Sequence, residues 1–329
     1  MDCEVRTFKP LDLHDLKVVS GVYLIKKIFP MYGVGCFGGV PGTAKTFLKL
    51  MMSVHIASGE PFFGHRVKQG NVLYLALEGG ALFQNRLKAI EIEYPELWEK
   101  AKYNFNVIPS PFNIMNNTDA DNLYQTYGRL NPKLIVIDTL NLAMEGGSEN
   151  SDKDMPRAVQ TLKHLQRKFN CLVSPIHHVG KNEEKGLRGH TSLLGALDTA
   201  YIINKTEDTY TAEAIKQRDM ELGRFYFQLK QIDLGEKDDD GDPITSAVVV
   251  QSGAKLGERE EEVYLWIKEN SDKYFNEIRD ALEIDKGQLS RLLKSLMKKE
   301  KVWMYKNKYF ADPTEKAINT INSINKPYI

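Results

Sequence analysis

Short runs of Val, Ile, Leu and Tyr recur at 34–38, 72–77, 134–138, 172–176 and 200–203, separated by stretches with helical spacing. Continuous apolar runs describe strands buried on both faces, and helices between them predict a mainly parallel α/β sheet. Residues 45–57 predict one such helix. Phe47, Leu48, Leu50, Met51, Met52, Val54 and Ile56 are apolar almost all round, which predicts a buried, central position. From 207 to 251 the pattern changes to alternation, and 210–216, 225–233 and 244–251 predict antiparallel strands. Their turns carry Glu221, Gly223 and the acidic stretch 235–243. The composition shifts again after Ser252, Gly253 and Ala254, which marks a domain boundary.

Residues 258–312 read as three short helices and a hairpin. Val263, Leu265, Trp266 and Ile267 mark the first helix, Ile278, Ala281 and Leu282 the second, and Leu289, Leu292, Leu293, Leu296 and Met297 the third. Asp285, Lys286 and Gly287 supply the turn before the third helix. Strands at 302–305 and 308–310 around Asn307 form a two-stranded wing, the pattern of a winged-helix domain. The expected organisation is an N-terminal segment, 1–30, packing on a core domain, 31–252, then the winged helix, 258–312, and a C-terminal tail, 313–329.

Composition narrows the class. With 44 basic and 44 acidic residues the formal net charge is zero, so nucleic-acid contact has to come from a local patch. Cys3, Cys36 and Cys171 are odd in number and far apart, which argues against a disulfide framework or structural zinc and for a reducing, cytoplasmic setting. No apolar stretch reaches membrane-spanning length, and Asp2, Glu4 and Arg6 do not open a secretion signal, so no membrane partner is expected.

The strongest chemical signal is the run Gly39, Val40, Pro41, Gly42, Thr43, Ala44, Lys45 and Thr46, preceded by a strand and followed by the buried helix. In a loop of this kind backbone N–H groups surround phosphate oxygens, Lys45 reaches the β- and γ-phosphates, and the Thr46 hydroxyl ligates Mg²⁺ at the helix N-terminus. The general pattern places glycine where Ala44 stands. Alanine fits if that residue already turns into the helix, whereas its Cβ obstructs a positive φ. Asp138 ends the apolar strand 134–138, which has the form of the second nucleotide motif, and is the candidate Mg²⁺ carboxylate. Glu78 closes another apolar strand just before Gly79 and Gly80, where a carboxylate can polarise an attacking water.

This ordered set resembles the RecA-like ATPase core, and within it the plasmid- and phage-encoded hexameric replicative helicases of the RepA type, relatives of DnaB. The resemblance rests on residues 39–46, Glu78 followed by Arg86, the strand 134–140, the pair His177 and His178, and the segment 187–193. It spans residues from about 15 to 235. The fold it implies is a RecA-like P-loop core, and the cofactors are ATP and Mg²⁺. It implies that Lys45 and Thr46 bind phosphate and metal, Asp138 holds the metal, Glu78 is the general base and His178 the γ-phosphate sensor. The segment 179–188 would face single-stranded DNA in a ring channel, with Lys181, Lys185 and Arg188 as contacts. Lys216 and Arg218 would reach a neighbour's nucleotide. The partners implied are single-stranded DNA and further copies of the chain in a homo-hexamer, with primase, initiator or single-strand-binding protein left open. Compared with DnaB, the core begins early in the chain, as in the compact RepA type.

Between 286 and 308 eight basic residues face a single Glu300, with Trp303, Tyr305 and Tyr309 interleaved. Arg291, Lys294 and Lys298 on the third helix are the candidate DNA contacts of this module. The expectation is an ATP-hydrolysing, DNA-stimulated replicative helicase of a phage or mobile element. Two alternatives stay open: a recombination, annealing or loader ATPase of the same fold, and a winged-helix regulator switched by ATP.

Overall fold

Strands here follow burial on two faces, and the chain divides into two units, Met1–Ser252 and Gly253–Ile329. The computed structural model describes residues 14, 23–80, 82–149, 151–178, 191–218, 221–252 and 257–311. In the first unit an antiparallel pair, β1 (Tyr23–Ile25) and β2 (Phe29–Pro30), buries Leu24, Ile25, Ile28 and Phe29. The core then alternates strand and helix: β3 (Gly33–Gly39), α1 (Lys45–Ser58), β4 (Val72–Ala76), α2 (Leu82–Glu93), α3 (Pro95–Ala101) and β5 (Phe105–Ile108). It continues with α4 (Thr118–Tyr127), β6 (Leu134–Asp138), α5 (Leu140–Ala143), α6 (Asp154–Phe169), β7 (Leu172–His178), α7 (Thr191–Ala196) and β8 (Thr199–Thr206). Antiparallel strands β9 (Thr209–Gln217), β10 (Arg224–Lys237) and β11 (Pro243–Ser252) complete the unit.

The nine strands β3 to β11 make one sheet in the order β11-β10-β9-β8-β3-β7-β6-β4-β5. The six from β8 to β5 run parallel. All parallel connections therefore deliver their loops to one edge of the sheet, the C-terminal ends of the strands, where the ligands of such folds bind. Alternate residues feed two cores. Phe37, Tyr74, Val136 and Tyr201 pack under α1 to α3, whereas Cys36, Leu75, Ile137 and Ala200 pack under α4 to α7. The helix expected at 45–57 is α1, and Leu48, Met52, Val54 and Ile56 are fully buried in it, at about 2 kcal/mol of transfer free energy each. Gly59 ends it at φ 81, with its N–H bonded to the His55 carbonyl.

Three sequence expectations change. Strand β5 is an addition to the sheet, hidden in the sequence because Asn106 interrupts its apolar run. Gly235, Glu236 and Lys237 belong to β10, so the acidic turn is shorter than 235–243. In the second unit, α8 (Glu258–Glu269), α9 (Phe275–Leu282) and α10 (Lys286–Lys298) surround Val263, Ile267, Ile278, Leu289, Leu293 and Leu296. The strands β12 (Lys273–Tyr274), β13 (Trp303–Tyr305) and β14 (Lys308–Phe310) form a three-stranded antiparallel sheet, not a two-stranded wing, because β12 pairs with β14. Asp285 caps α10, its carboxylate accepting from the N–H groups of Gly287 (2.8 Å) and Gln288 (3.0 Å).

Candidate active site

The loop between β3 and α1 is shaped by sterics at two glycines. A Cβ on Gly39 would lie 2.6 Å from Thr43 Oγ1 and 2.7 Å from the Ile203 carbonyl oxygen, so the neighbouring strand's backbone excludes any side chain there. Gly42 has open space around it and is required by its φ of +82°. Ala44 has φ 59° and ψ 23°, the left-handed region, and so does not yet turn into the helix as the sequence reading required for alanine. A left-handed non-glycine residue costs roughly 1–2 kcal/mol, offset in a glycine variant by about 0.5–1 kcal/mol of unfolded-state entropy. Ala44→Gly is expected to raise the thermal midpoint by about 2 °C, read by differential scanning calorimetry; a lower midpoint contradicts a strained alanine.

Lys45 is almost wholly buried, and its Nζ donates to the Val40 carbonyl at 2.8 Å, inside the loop. Burial lowers its pKa to about 8, with Glu78 and Asp138 opposing the shift. Thr46 Oγ1 donates to Asp138 Oδ1 at 3.3 Å, and the Tyr74 hydroxyl donates to Oδ2 at 2.7 Å. Asp138 is fully buried, and burial pushes its pKa up to about 6 despite those two hydrogen bonds and the charge of Arg86. A hydroxyl and a carboxylate, both oxygen donors in contact, fit Mg²⁺, which takes few protein ligands and fills its shell with phosphate and water. Among the described residues no cluster of three His, Cys, Asp or Glu forms a protein-only metal cage.

These two shifts set a pH window. Asp138 has to be ionised to hold a cation, above about 6, and Lys45 has to be charged to bind phosphate, below about 8. Because kcat/KM reports free-enzyme groups, its pH profile for ATP hydrolysis is expected to be bell-shaped, with limbs near those values. A flat profile across pH 6–8.5 contradicts the assignment.

Strand β7 lies between β3 and β6, so its last residues emerge between the phosphate loop and Asp138. His177 is buried and its Nδ1 lies 3.0 Å from Glu149 Oε1. His178 Nδ1 is buried without a hydrogen-bond partner, and burial followed by the charge of Lys45 lowers its pKa. The two histidines therefore differ: His177 is held by a carboxylate, and His178 keeps a free ring nitrogen beside Lys45. Glu78 is exposed and follows β4 instead of closing it; its N–H donates to the Asp138 carbonyl at 3.1 Å.

Arg218 and Lys216 sit elsewhere. Arg218 N–H bonds the Asp198 carbonyl, and its side chain pairs with Asp198 Oδ1 at 3.0 Å. Asp198 in turn binds both N and O of Val34, at the start of β3. Five residues of strand, at roughly 3.3 Å each, put Arg218 about 17 Å from Gly39, beyond the reach of its own loop. Lys216 donates to the carbonyls of Leu194 (2.6 Å) and Gly195 (3.0 Å), so the structure engages it with α7 and does not leave it free to reach outward.

Lys181, Lys185 and Arg188 lie outside the described residues. Arg291, Lys294 and Lys298 are all exposed on the face of α10 opposite Leu289, Leu293 and Leu296. Within that module Lys299 pairs with Glu260 and Lys308 with Asp272, and Trp303 stacks on Phe310 at 4.4 Å. Those groups are thus partly engaged within the fold. Tyr74, Glu149 and a recess of about 440 Å³ lined by Lys205, Asp208, Tyr210, Gln228 and Leu229 were not singled out from sequence. The recess lies at the phosphate-loop end of the sheet, since Ile202 is level with Gly38.

A strand, a glycine-rich loop, a helix-borne lysine and threonine, and a carboxylate on a neighbouring parallel strand together define a RecA-like P-loop ATPase domain. Residues 21–184, just under half of the chain, match the family model described as AAA domain, in keeping with an ATP-hydrolysing enzyme. No curated protein matches the sequence. Among solved structures, one described as an ATPase domain matches at 16% identity and a TM-score of 0.46, over 60% of this chain and 81% of that one. A DnaB-like replicative helicase, described with its interactions with primase, matches at 16% and 0.46, over 60% of this chain and 55% of that one. The RadB recombinase matches at 19% and 0.45, over 60% and 87%. Among the described residues no helix is long and apolar enough to cross a membrane.

Proposed function

We propose that this chain is an ATP-dependent DNA motor: a replicative helicase that assembles as a ring, most simply a hexamer, hydrolyses ATP between subunits and moves along single-stranded DNA. The observation that carries this reading is the placement of Arg218, exposed and about 17 Å from its own phosphate loop. If Arg218 leaves Asp198 to serve a nucleotide, it does so across a subunit interface and not in its own loop. Hydrolysis then depends on assembly.

In the proposed reaction Glu78 orients a water for in-line attack on the γ-phosphorus and accepts the proton that the water loses. The new P–O bond forms as the bond to the bridging oxygen breaks, and the leaving charge falls on ADP. Lys45 and the neighbour's Arg218 stabilise the charge on the γ-phosphoryl oxygens. Thr46 and Asp138 would hold Mg²⁺, which supplies charge neutralisation between the β- and γ-phosphates. The recess lined by Lys205, Asp208 and Gln228 is the proposed seat of the adenine. His178, its Nδ1 without a partner, would register the γ-phosphate and pass its state to the segment 179–188, where Lys181, Lys185 and Arg188 are the proposed single-strand contacts. Arg291, Lys294 and Lys298 would add a second DNA surface.

The test is strand displacement on a forked duplex. ATP-dependent release of the labelled strand supports a helicase. Single-strand-stimulated hydrolysis without release moves the reading to a recombination or loader ATPase, and duplex binding with no stimulation moves it to a regulator.

A further inference from the structure

Proline is out of place in the middle of a sheet, yet Pro175 stands in β7, between β3 and β6. In the parallel ladder Gly33 N–H bonds the Cys171 carbonyl, and Val34 turns its carbonyl the other way, toward Asp198. By that alternation Gly35 faces β7, and its carbonyl awaits the N–H of residue 175, which proline lacks. The pairing of β3 with β7 accordingly runs at Gly33–Leu172 and Val34–Val173 and resumes at Phe37–Ile176. The gap is filled by side chains. Ser174 Oγ donates to the Gly35 carbonyl at 2.7 Å, and Lys49 Nζ donates to Ser174 Oγ at 2.6 Å.

Lys49 is fully buried on α1, its Nζ 4.0 Å from the Phe37 ring centroid and 5.3 Å from that of Phe29. A buried amine is a destabilising choice where leucine or methionine would pack, unless its donors are used. The three partners carry three parts of the site. Lys49 is one turn beyond Lys45 on α1, Gly35 is on the strand that becomes the phosphate loop, and Ser174 is on the strand that ends in His177 and His178. We infer that the Lys49–Ser174–Gly35 relay is a positioning device that closes the hole made by Pro175 and fixes the histidine strand against the phosphate loop. Because the Gly35 carbonyl can only accept, the Ser174 hydroxyl hydrogen points to it, and the Ser174 oxygen is left to accept from Lys49 Nζ.

This inference rests on the site reading above, and the variants separate the two. Lys49→Met and Ser174→Ala are each expected to lower kcat for ATP hydrolysis about tenfold while KM for ATP changes less than about twofold. Lys49→Met should at the same time raise the thermal midpoint, since methionine fills the volume without a buried amine. Pro175→Ala returns a backbone N–H to the ladder, so the double variant Ser174→Ala with Pro175→Ala is expected to recover the lost kcat. Unchanged kcat in Lys49→Met, or no recovery in the double variant, overturns the relay. Lys45→Ala is the control: if hydrolysis survives it, the site reading fails and not the relay.

Discussion

Lys45→Ala is expected to reduce kcat/KM for ATP hydrolysis by about 10²–10³-fold while leaving the fold intact. The loss is large because Lys45 is the only cationic residue in the run 39–46, and it acts from a buried position where charge is weakly screened. The fold should survive because the side chain's hydrogen bond within the domain is the one to the Val40 carbonyl. Steady-state hydrolysis paired with circular dichroism checks both halves. A variant that folds and retains more than about a tenth of wild-type activity contradicts the role given to Lys45.

Arg218→Ala gives the second large effect and a sharper one. Removal of an arginine finger costs about 10³-fold or more in kcat, and here the loss should be complemented across subunits. Arg218→Ala keeps an intact phosphate loop, and Lys45→Ala keeps an intact arginine. Neither is active alone. Mixed in equal amounts and allowed to exchange, they pair an intact site with an intact arginine at about one interface in four, so roughly a quarter of wild-type activity should return. If Arg218 worked on its own nucleotide, no mixture would recover. The distance along β3 favours the first outcome: Asp198, which holds Arg218, is bonded to Val34 and not to the loop end of the strand.

Much of this architecture is written in local pattern. Strands such as β6 and β7 are buried on both faces and therefore read as unbroken apolar runs, and the loop 39–46 declares itself because close packing against Ile203 leaves no room for a side chain at Gly39. What sequence could not supply was tertiary. Lys49 looks like the solvent side of a helix, and only the gap at Pro175, far along the chain, explains its burial. Tyr74 reads as one more apolar strand residue until its hydroxyl is found on Asp138, and Glu149 as one more polar loop residue until its carboxylate is found on His177. Ala44 is compatible with two backbone conformations, and the loop's path selects the left-handed one. Strand β12 is two residues long and exists only through its pairing with β14. Trp303, interleaved with the basic residues of this module, has one face of its ring packed on Phe310, a contact between strands β13 and β14 that their spacing in the sequence does not announce.

The central claim is that hydrolysis at residues 39–46, Glu78 and Asp138 is coupled to single-stranded DNA and to assembly. Its most direct test is the steady-state rate of ATP hydrolysis with and without a single-stranded oligonucleotide, with particle mass followed in the same samples. The account predicts stimulation by the oligonucleotide in an oligomeric population and its loss in Arg218→Ala. An equal rate with and without DNA, or full activity in a monomer, would contradict it.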